Sequence, residues 1–375
     1  MKRYYCSQIN DKNVDEKIKT YGWVSKRRDH GGIIFIDLRD HTGILQLVFN
    51  PDDKDVFKIA ESIRSEYVIY VEGIVNKRLE GADNKDIPSG CIEIIASKLD
   101  ILNKSDNPPF KINDSEVNED QRLQYRYLDM RSDAMQKNIR FRSKLIASIR
   151  EFFLDQDFVE IETPILTKTT PEGARDYLVP SRVHEGQFFA LPQSPQLFKQ
   201  TLMIGGVDKY FQIAKCFRDE DLRSDRQPEF TQLDIELSFV EEKDIISLIE
   251  NLFTKIFTNV MKLNDKLVFE RITYDEAIKN YGCDKPDLRN PLKIVDIKNI
   301  LKDVNFKVFS DHLENPDSRI TALRVPNGIS LSRKDIDDLT NIVKKFNAKG
   351  LAYIKCEKID DIENGITSPI KKFLD

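Results

Sequence analysis

Two alternating segments separated by a charged loop constrain this chain more than anything else in it. From 211 to 218, Phe211, Ile213 and Phe217 alternate with Gln212, Ala214, Cys216 and Arg218. From 232 to 239, Leu233, Ile235, Leu237 and Phe239 alternate with Gln232, Asp234 and Glu236. A period of two with one apolar face is the pattern of a half-buried antiparallel strand. Paired as a hairpin, the segments put Arg218, Gln232, Asp234 and Glu236 on one surface. Those side chains suit the ammonium and carboxylate of an amino acid beside a nucleotide phosphate; the plainer alternative is a polar face turned to water. The intervening loop holds Asp219, Glu220, Asp221, Arg223, Asp225 and Arg226. That density of both signs suits a clamp on a polyphosphate and its magnesium.

A chain of 375 residues predicts two or three domains. Net charge is −5, so no global basic field marks a nucleic-acid binder, and any such site must be a local patch. The five cysteines are scattered with no C-x-x-C pair, which argues against a disulfide framework or a zinc site and fits a reducing cytoplasm. Residues 1–8 lack the apolar run of a signal peptide, and no stretch reaches transmembrane length, so a cytoplasmic protein without a membrane partner is expected.

Residues 16–103 read as a small β-barrel. Strand-like runs lie near 18–27, 33–39, 44–50, 67–77 and 92–102, with a helical stretch at 53–64 after the third, which is the OB-fold plan. Residues 103–120, with Pro108 and Pro109, read as a linker. Phe141, Leu145, Ile149 and Phe152 then recur at helical spacing, and 158–164 is a short strand stopped by Pro164. A strand at 187–191 leads to Ser194 and Pro195, an expected N-cap with proline at the first helical position. Residues 241–262 form an amphipathic helix that opens on glutamates and ends on a lysine. From about 286 the elements shorten into another small α/β unit.

In the barrel, Phe35 points opposite to Ile34, Ile36 and Leu38, close to the basic cluster Lys26, Arg27 and Arg28. An outward aromatic beside cations suits stacking of an unpaired base with phosphate contact. Gln46 and Glu93 interrupt strands where they can bond base edges. The alternative is that Phe35 packs under a loop and the cations are solvated. The segment 171–176 reads either as a mobile flap carrying Glu172 towards an ammonium or as an ordinary surface loop. Gln196 and Lys199, one turn apart, face either one ligand or solvent.

At these residues a resemblance sets in. Phe217-Arg218-Asp219-Glu220 followed by Arg226-Gln227-Pro228-Glu229-Phe230 resembles motif 2 of the class II aminoacyl-tRNA synthetases. The segments 170–177 and 193–200, and Tyr281-Gly282-Cys283-Asp284-Lys285-Pro286, are similar to bacterial-type aspartyl-tRNA synthetases, and 23–40 resembles their anticodon-binding OB domain. The resemblance implies an α+β multidomain chain. Its parts would be an OB-fold anticodon-binding barrel over 1–103 and a linker over 104–135. An incomplete class II antiparallel-sheet core over 136–285 and the start of an inserted α/β domain over 286–375 would follow.

The resemblance also implies roles. Phe35 would stack on an anticodon base, with Arg28, Gln46 and Glu93 reading bases. Glu172 would close over the aspartate, Ser194, Gln196 and Asp234 would hold its ammonium, and Lys199 its side-chain carboxylate. Arg218, as the catalytic cation, would bind the α-phosphate and the reacting carboxylate. Asp219, Glu220 and Gln227 would contact ATP, whose Mg2+ arrives with it, and Phe230 would stack on adenine. Residues 158–164 would be motif 1, which builds a homodimer. His30, where enzymes restricted to aspartate tRNA tend to have leucine, and Gly81 imply a non-discriminating enzyme that charges both tRNA(Asp) and tRNA(Asn). Nothing after Cys283 resembles motif 3, so the sequence looks like the N-terminal part of such a synthetase, weakly active or inactive by itself. The competing readings are a tRNA-binding fragment without catalysis, a tRNA(Asp)-only enzyme, and an asparagine-specific or amide-forming relative.

Overall fold

Alternating apolar residues in the first hundred positions close on themselves as a five-stranded barrel of β1 (Lys17–His30), β2 (Ile33–Asp40), β3 (Gly43–Phe49), β4 (Val68–Lys77) and β5 (Ile92–Asn103), with α1 (Lys54–Ser62) between β3 and β4. This is a computed structural model that describes residues 3–170, 172–358 and 360–373. The strand order is β1-β2-β3-β5-β4, with β4 returning to β1, so no barrel edge is left open. Inward-facing Ile18, Val24, Ile36, Leu38, Leu45, Leu47, Ile69, Val71, Val75 and Ile94 are fully buried. Asp53 caps α1 by accepting the Val56 N–H at 3.2 Å, and Ala60 of that helix and Ile63 just after it join the core. β1 runs on to His30, three residues beyond the expected 27, because Arg28, Asp29 and His30 keep pairing with Phe35, Ile34 and Ile33. Gly73 lies where β4 crosses β5 closely; a Cβ there would stand 2.3 Å from the Ile95 carbonyl oxygen.

Two short helices, α2 (Glu119–Gln124) and α3 (Arg126–Asp129), lead into the long α4 (Asp133–Leu154), which Ser132 caps. The expected strand at 158–164 is reduced to β6 (Val159–Glu160), parallel to β9 (Lys209–Phe217), since the chain beyond it enters Pro164. A small pair, β7 (Leu178–Pro180) and β8 (Phe188–Ala190), precedes α5 (Gln196–Ile204). β9 pairs along its whole length with β10 (Glu229–Leu237), giving a sheet of order β10-β9-β6. The apolar face of that sheet packs on α4 and on α6 (Glu242–Lys255), whose final turn widens into a π-helix over Ile256–Val260. Phe152, Phe153, Phe158 and Phe211 are its centre, with Phe153 and Phe211 stacked at 5.0 Å.

Contacts divide the chain into the units Met1–Lys266 and Leu267–Asp375, so the division precedes the position 286 expected from sequence. The reason is α7 (Tyr274–Tyr281), opened by a Thr273–Glu276 capping box and closed by Gly282 at φ +73°, which packs on β11 (Ile294–Asp296). The second unit continues through α8 (Lys307–Leu313), β12 (Thr321–Leu323), which pairs with β11, and α9 (Arg333–Lys345). It then holds β13 (Lys355–Cys356), α10 (Ile362–Gly365) and β14 (Ile366–Thr367). No helix of the described residues is long and apolar enough to cross a membrane.

Candidate functional site

The β9–β10 register sets the polar floor. Gln212 lies opposite Asp234, Ala214 opposite Gln232, Cys216 opposite Phe230 and Tyr210 opposite Glu236, while Phe211, Leu233 and Ile235 turn to the core. Arg218 follows β9 directly, and its N–H donates to the Pro228 carbonyl at 2.9 Å, closing the base of the charged loop. Its guanidinium rests 5.2 Å from the Phe230 ring centroid.

Lys199 reaches this floor from α5. Its Nζ donates to Asp234 Oδ1 at 2.9 Å and lies 3.3 Å from a Glu236 oxygen, and Gln232 Nε2 donates to the same Asp234 oxygen at 2.9 Å. The resemblance assigns this ammonium to a substrate carboxylate, and the pattern alone left it facing a ligand or solvent. Two protein carboxylates engage it here, because a buried ammonium needs counter-charges and β10 supplies two. Burial works against its charge, and Asp234 and then Glu236 more than reverse that, so its pKa is raised.

Two buried polar atoms of this face have no protein partner among the described residues: Arg218 Nε and Asp234 Oδ2. One is a cationic donor and the other an anionic acceptor. Unpaired buried groups of this kind are costly, and a ligand carrying an anion and an ammonium satisfies both. Burial, then the Asp234 carboxylate, pushes the Cys216 thiol up to about 11, with Arg218 and Lys199 opposing and Glu172 adding to the rise. All four charged groups thus act on this one thiol of the floor.

The expected Ser194 N-cap is not formed. Helix α5 begins at Gln196 with Pro195 as its cap residue and no side-chain cap bond. The Ser194 hydroxyl donates instead to the Glu172 carboxylate, 3.2 Å from each oxygen, and a hydroxyl committed to a charged acceptor is not free for a backbone N–H. Gln196 is half-buried one turn from Lys199. Of the flap segment, Pro171 lies outside the described residues. Asp219, Glu220 and Gln227 are exposed on the charged loop, and Phe230 is half-buried at its base. No group of three or more His, Cys, Asp or Glu side chains among the described residues is arranged to hold a metal ion.

The sequence did not single out Gln193. It is 1 % exposed and bonded to the flap loop: its Oε1 accepts the Ala174 N–H at 3.1 Å, and its Nε2 donates to the Ala174 carbonyl at 2.9 Å and to Asp176. Its position immediately before Ser194 was the available signal. Tyr210 was also missed; its hydroxyl donates to Gln212 Oε1 at 2.8 Å, and burial together with Asp234 raises its pKa.

The barrel residues form a separate face. Arg28 donates to Asp37 at 2.6 Å and to Gln46 Oε1 at 3.2 Å, and Gln46 Nε2 donates to Glu93 at 2.8 Å. Phe35 lies beside this chain of bonds, paired with Arg28 across the strands, and its ring is 6.1 Å from that of exposed His30. Asp37 and Arg78 are further members. Burial lowers the Arg78 pKa while Glu93 and Asp37 oppose the fall, and its Nε donates to the Ile92 carbonyl at 3.0 Å. Asp37 is legible in retrospect, two residues from Phe35 on the same face. Gly81 is exposed at φ +83° with nothing near its Cβ direction.

Two concavities lie elsewhere. One of about 680 Å³ runs along α4 past Ser143, Ile146 and Ala147. Another of about 410 Å³ between 160–165 and β9 borders the polar floor only through Gln212 and Ala214. Neither is centred on Arg218, so the unpaired atoms rather than cavity size mark the site.

Comparison with known proteins agrees with this layout. Residues 118–361 match the family "tRNA synthetases class II (D, K and N)", and residues 18–102 match "OB-fold nucleic acid binding domain". Over 377 aligned residues the chain is 54% identical to an aspartate–tRNA(Asp/Asn) ligase of Legionella pneumophila strain Corby, and 53% identical to that of strain Paris. The alignments cover all of this chain and 63% of each relative, so the chain spans less than two thirds of their length. In fold it is similar to the asparaginyl-tRNA synthetase of Pyrococcus horikoshii complexed with asparaginyl-adenylate, at TM-score 0.65 and 23% identity over 93% of this chain and 88% of that one. It is also similar to a putative aspartyl-tRNA synthetase of Leishmania major, at TM-score 0.62 and 22% identity over 96% and 77%.

Proposed function

Since this chain belongs to the class II tRNA synthetases of the aspartate, lysine and asparagine group and carries an OB-fold nucleic-acid-binding barrel, we propose that it serves as an aspartate–tRNA ligase for tRNA(Asp) and tRNA(Asn). The observation that carries the amino-acid end of this reading is the pair of unpartnered atoms, Arg218 Nε and Asp234 Oδ2, on one floor. An α-amino acid beside a nucleotide phosphate presents an ammonium to the acceptor and anions to the donor.

In this reading Asp234, Ser194 and Gln196 hold the ammonium, and Glu172 covers it. Lys199 takes the side-chain carboxylate of aspartate, exchanging part of its contact with Asp234 and Glu236 for the ligand. An asparagine amide gives no such charge match. Arg218 faces the α-phosphate and reacting carboxylate of substrate ATP and aspartate, Phe230 stacks on adenine, and Asp219, Glu220 and Gln227 contact the nucleotide, with Mg2+ entering on its phosphates. The carboxylate oxygen bonds to the α-phosphorus and the bond to pyrophosphate breaks; the nucleophile is already ionised and needs no general base. Most of the barrier lies in bringing anions together, so a fixed cation at that point matters most.

On the barrel, Phe35 stacks an anticodon base while the Arg28–Gln46–Glu93 chain exchanges internal bonds for base edges. In this reading His30 and, on the loop after β4, Gly81 relax the selection between the two tRNAs, a role for His30 that its ring's 6.1 Å distance from Phe35 supports. Two copies pair through 158–164 and the adjoining face of α4, a reading supported by the exposed Leu154 and Val159 and by the groove beside Ala147.

Aspartate-dependent ATP–pyrophosphate exchange tests the catalytic reading; no exchange from a folded sample removes catalysis from this polypeptide and leaves RNA binding alone. Charging of purified tRNA(Asp) and tRNA(Asn) tests the relaxed one, which fails if only tRNA(Asp) is charged.

A further inference from the structure

The carboxamide of Gln193 is the most tightly used polar group near the floor that substrate contact does not explain. It faces the peptide of Ala174 in both directions, accepting its N–H at 3.1 Å and donating to its carbonyl at 2.9 Å. The second Nε2 hydrogen goes to Asp176, whose other carboxylate oxygen accepts the Thr170 N–H at 3.2 Å. One shoulder of the segment that carries Glu172 is thus tied directly to one buried side chain, and the other is tied to it through Asp176. Its sequence neighbour, Ser194, holds the Glu172 carboxylate itself at 3.2 Å. On its far side, the Arg175 carbonyl accepts the Asp219 N–H at 3.0 Å, so the same segment abuts the charged loop.

Only a carboxamide supplies this pattern. A carboxylate at 193 loses both donors and meets Asp176 as a like charge, and an apolar side chain leaves a buried peptide without partners. We propose that Gln193 is the positioning residue of the amino-acid pocket, holding Glu172 at the height at which it meets the substrate ammonium. The inference rests on the reading that this floor takes an α-amino acid, and it adds a residue that does not itself touch the ligand. A loop pinned at its shoulders presents its carboxylate without an ordering cost at each binding event, which is where such a residue acts on affinity.

The test uses the whole chain with two variants, Gln193→Met, which keeps the volume, and Gln193→Glu, which keeps one acceptor. Hydrogen exchange followed by mass spectrometry reads protection of the Ala174 amide, and calorimetry reads binding of L-aspartate and of ATP separately. The expected result is loss of protection confined to 170–177, with β9, β10 and α5 as protected as in the parent. L-Aspartate affinity falls at least about tenfold, the scale of one lost charged contact, while ATP affinity stays within about threefold. Unchanged protection at Ala174 in Gln193→Met overturns the inference, and so does equal weakening of both ligands in either variant, which would mean a general structural role. If the parent chain binds no L-aspartate, the proposed function fails for this polypeptide, and the protection data alone still decide whether Gln193 pins the loop.

Discussion

The barrel and the three-stranded sheet solve the same problem in opposite ways. The barrel closes on itself, so each strand has two partners, and its buried charged groups are held by counter-charges or by hydrogen bonds. Arg39 and Glu66 meet through two bonds of 2.9 and 2.7 Å, and Arg131, stacked on Trp23, adds a third at 2.6 Å. The polar face around Arg28 is likewise bonded internally from Asp37 to Glu93. In the sheet, β10 pairs on one side only among the described residues, and the floor keeps a buried donor and a buried acceptor unsatisfied. The first region satisfies its own polar and charged groups. The second holds polar groups at a cost in stability that a charged ligand can offset, the usual compromise at a binding site.

Breaking the barrel's ion cluster tests the first half of that contrast and carries the largest expected effect. Glu66→Gln leaves two guanidinium groups without their carboxylate, one of them on a side chain only 6% exposed. Loss of one partner from such a pair costs about 3–5 kcal/mol, read as the drop in urea-unfolding free energy. Because Arg131 belongs to the segment between α3 and α4, the variant should also loosen that segment in hydrogen exchange. A loss under about 1 kcal/mol, the scale of a surface ion pair, would mean the cluster is not what holds this end of the barrel.

A smaller effect is expected from acid. Asp40 is 7% exposed; burial works against its charge, but the Thr42 hydroxyl, the Cys6 N–H and the Thr42 N–H outweigh it and hold its carboxyl below the usual range. A carboxyl whose folded pKa is depressed contributes stability that is full above its unfolded value, about 3.9, and is lost as pH falls through the lower folded value. The barrel should therefore lose stability below about pH 4. Asp40→Asn should remove that slope and about 1.5–3 kcal/mol at neutral pH, the range for hydrogen bonds to a charged group. Parallel acid titrations of unfolding free energy for the parent and variant check both.

The same contrast explains what the sequence could tell. Five barrel strands and the hairpin were legible because their information is local: period-two apolar residues such as Leu45, Leu47 and Phe49, or Leu233, Ile235 and Leu237, fix both element and face. The polar floor was legible for the same reason. Long-range pairing was not. Lys199 reads as a free cation until Asp234, 35 residues on, is seen against it. Ser194 before Pro195 reads as a helix cap by local rules, and only Glu172, 22 residues upstream, overrides them. Gln193 carries no local signal beyond its place before Ser194 until Ala174 folds onto it, 19 residues away.

Arg218 sharpens the comparison from the other side, through the smallest stability change. Its Nε is buried without a partner, so the folded state gains little from that atom and bears its desolvation. What stabilises the side chain is its seat 5.2 Å from the Phe230 ring centroid, worth about 0.5–2 kcal/mol. Arg218→Met keeps most of the packing against Phe230 and removes the orphaned donor. Urea-unfolding free energy should therefore move by no more than about 1 kcal/mol in either direction, within the ordinary range for single substitutions. In a chain that performs aspartate-dependent exchange, the same substitution should lower the rate about 10²–10³-fold, the scale of one lost electrostatic contact at the reacting centre. A variant as destabilised as Glu66→Gln would make Arg218 a structural cation and erase the distinction between the two regions; an unchanged exchange rate would remove it from the chemistry.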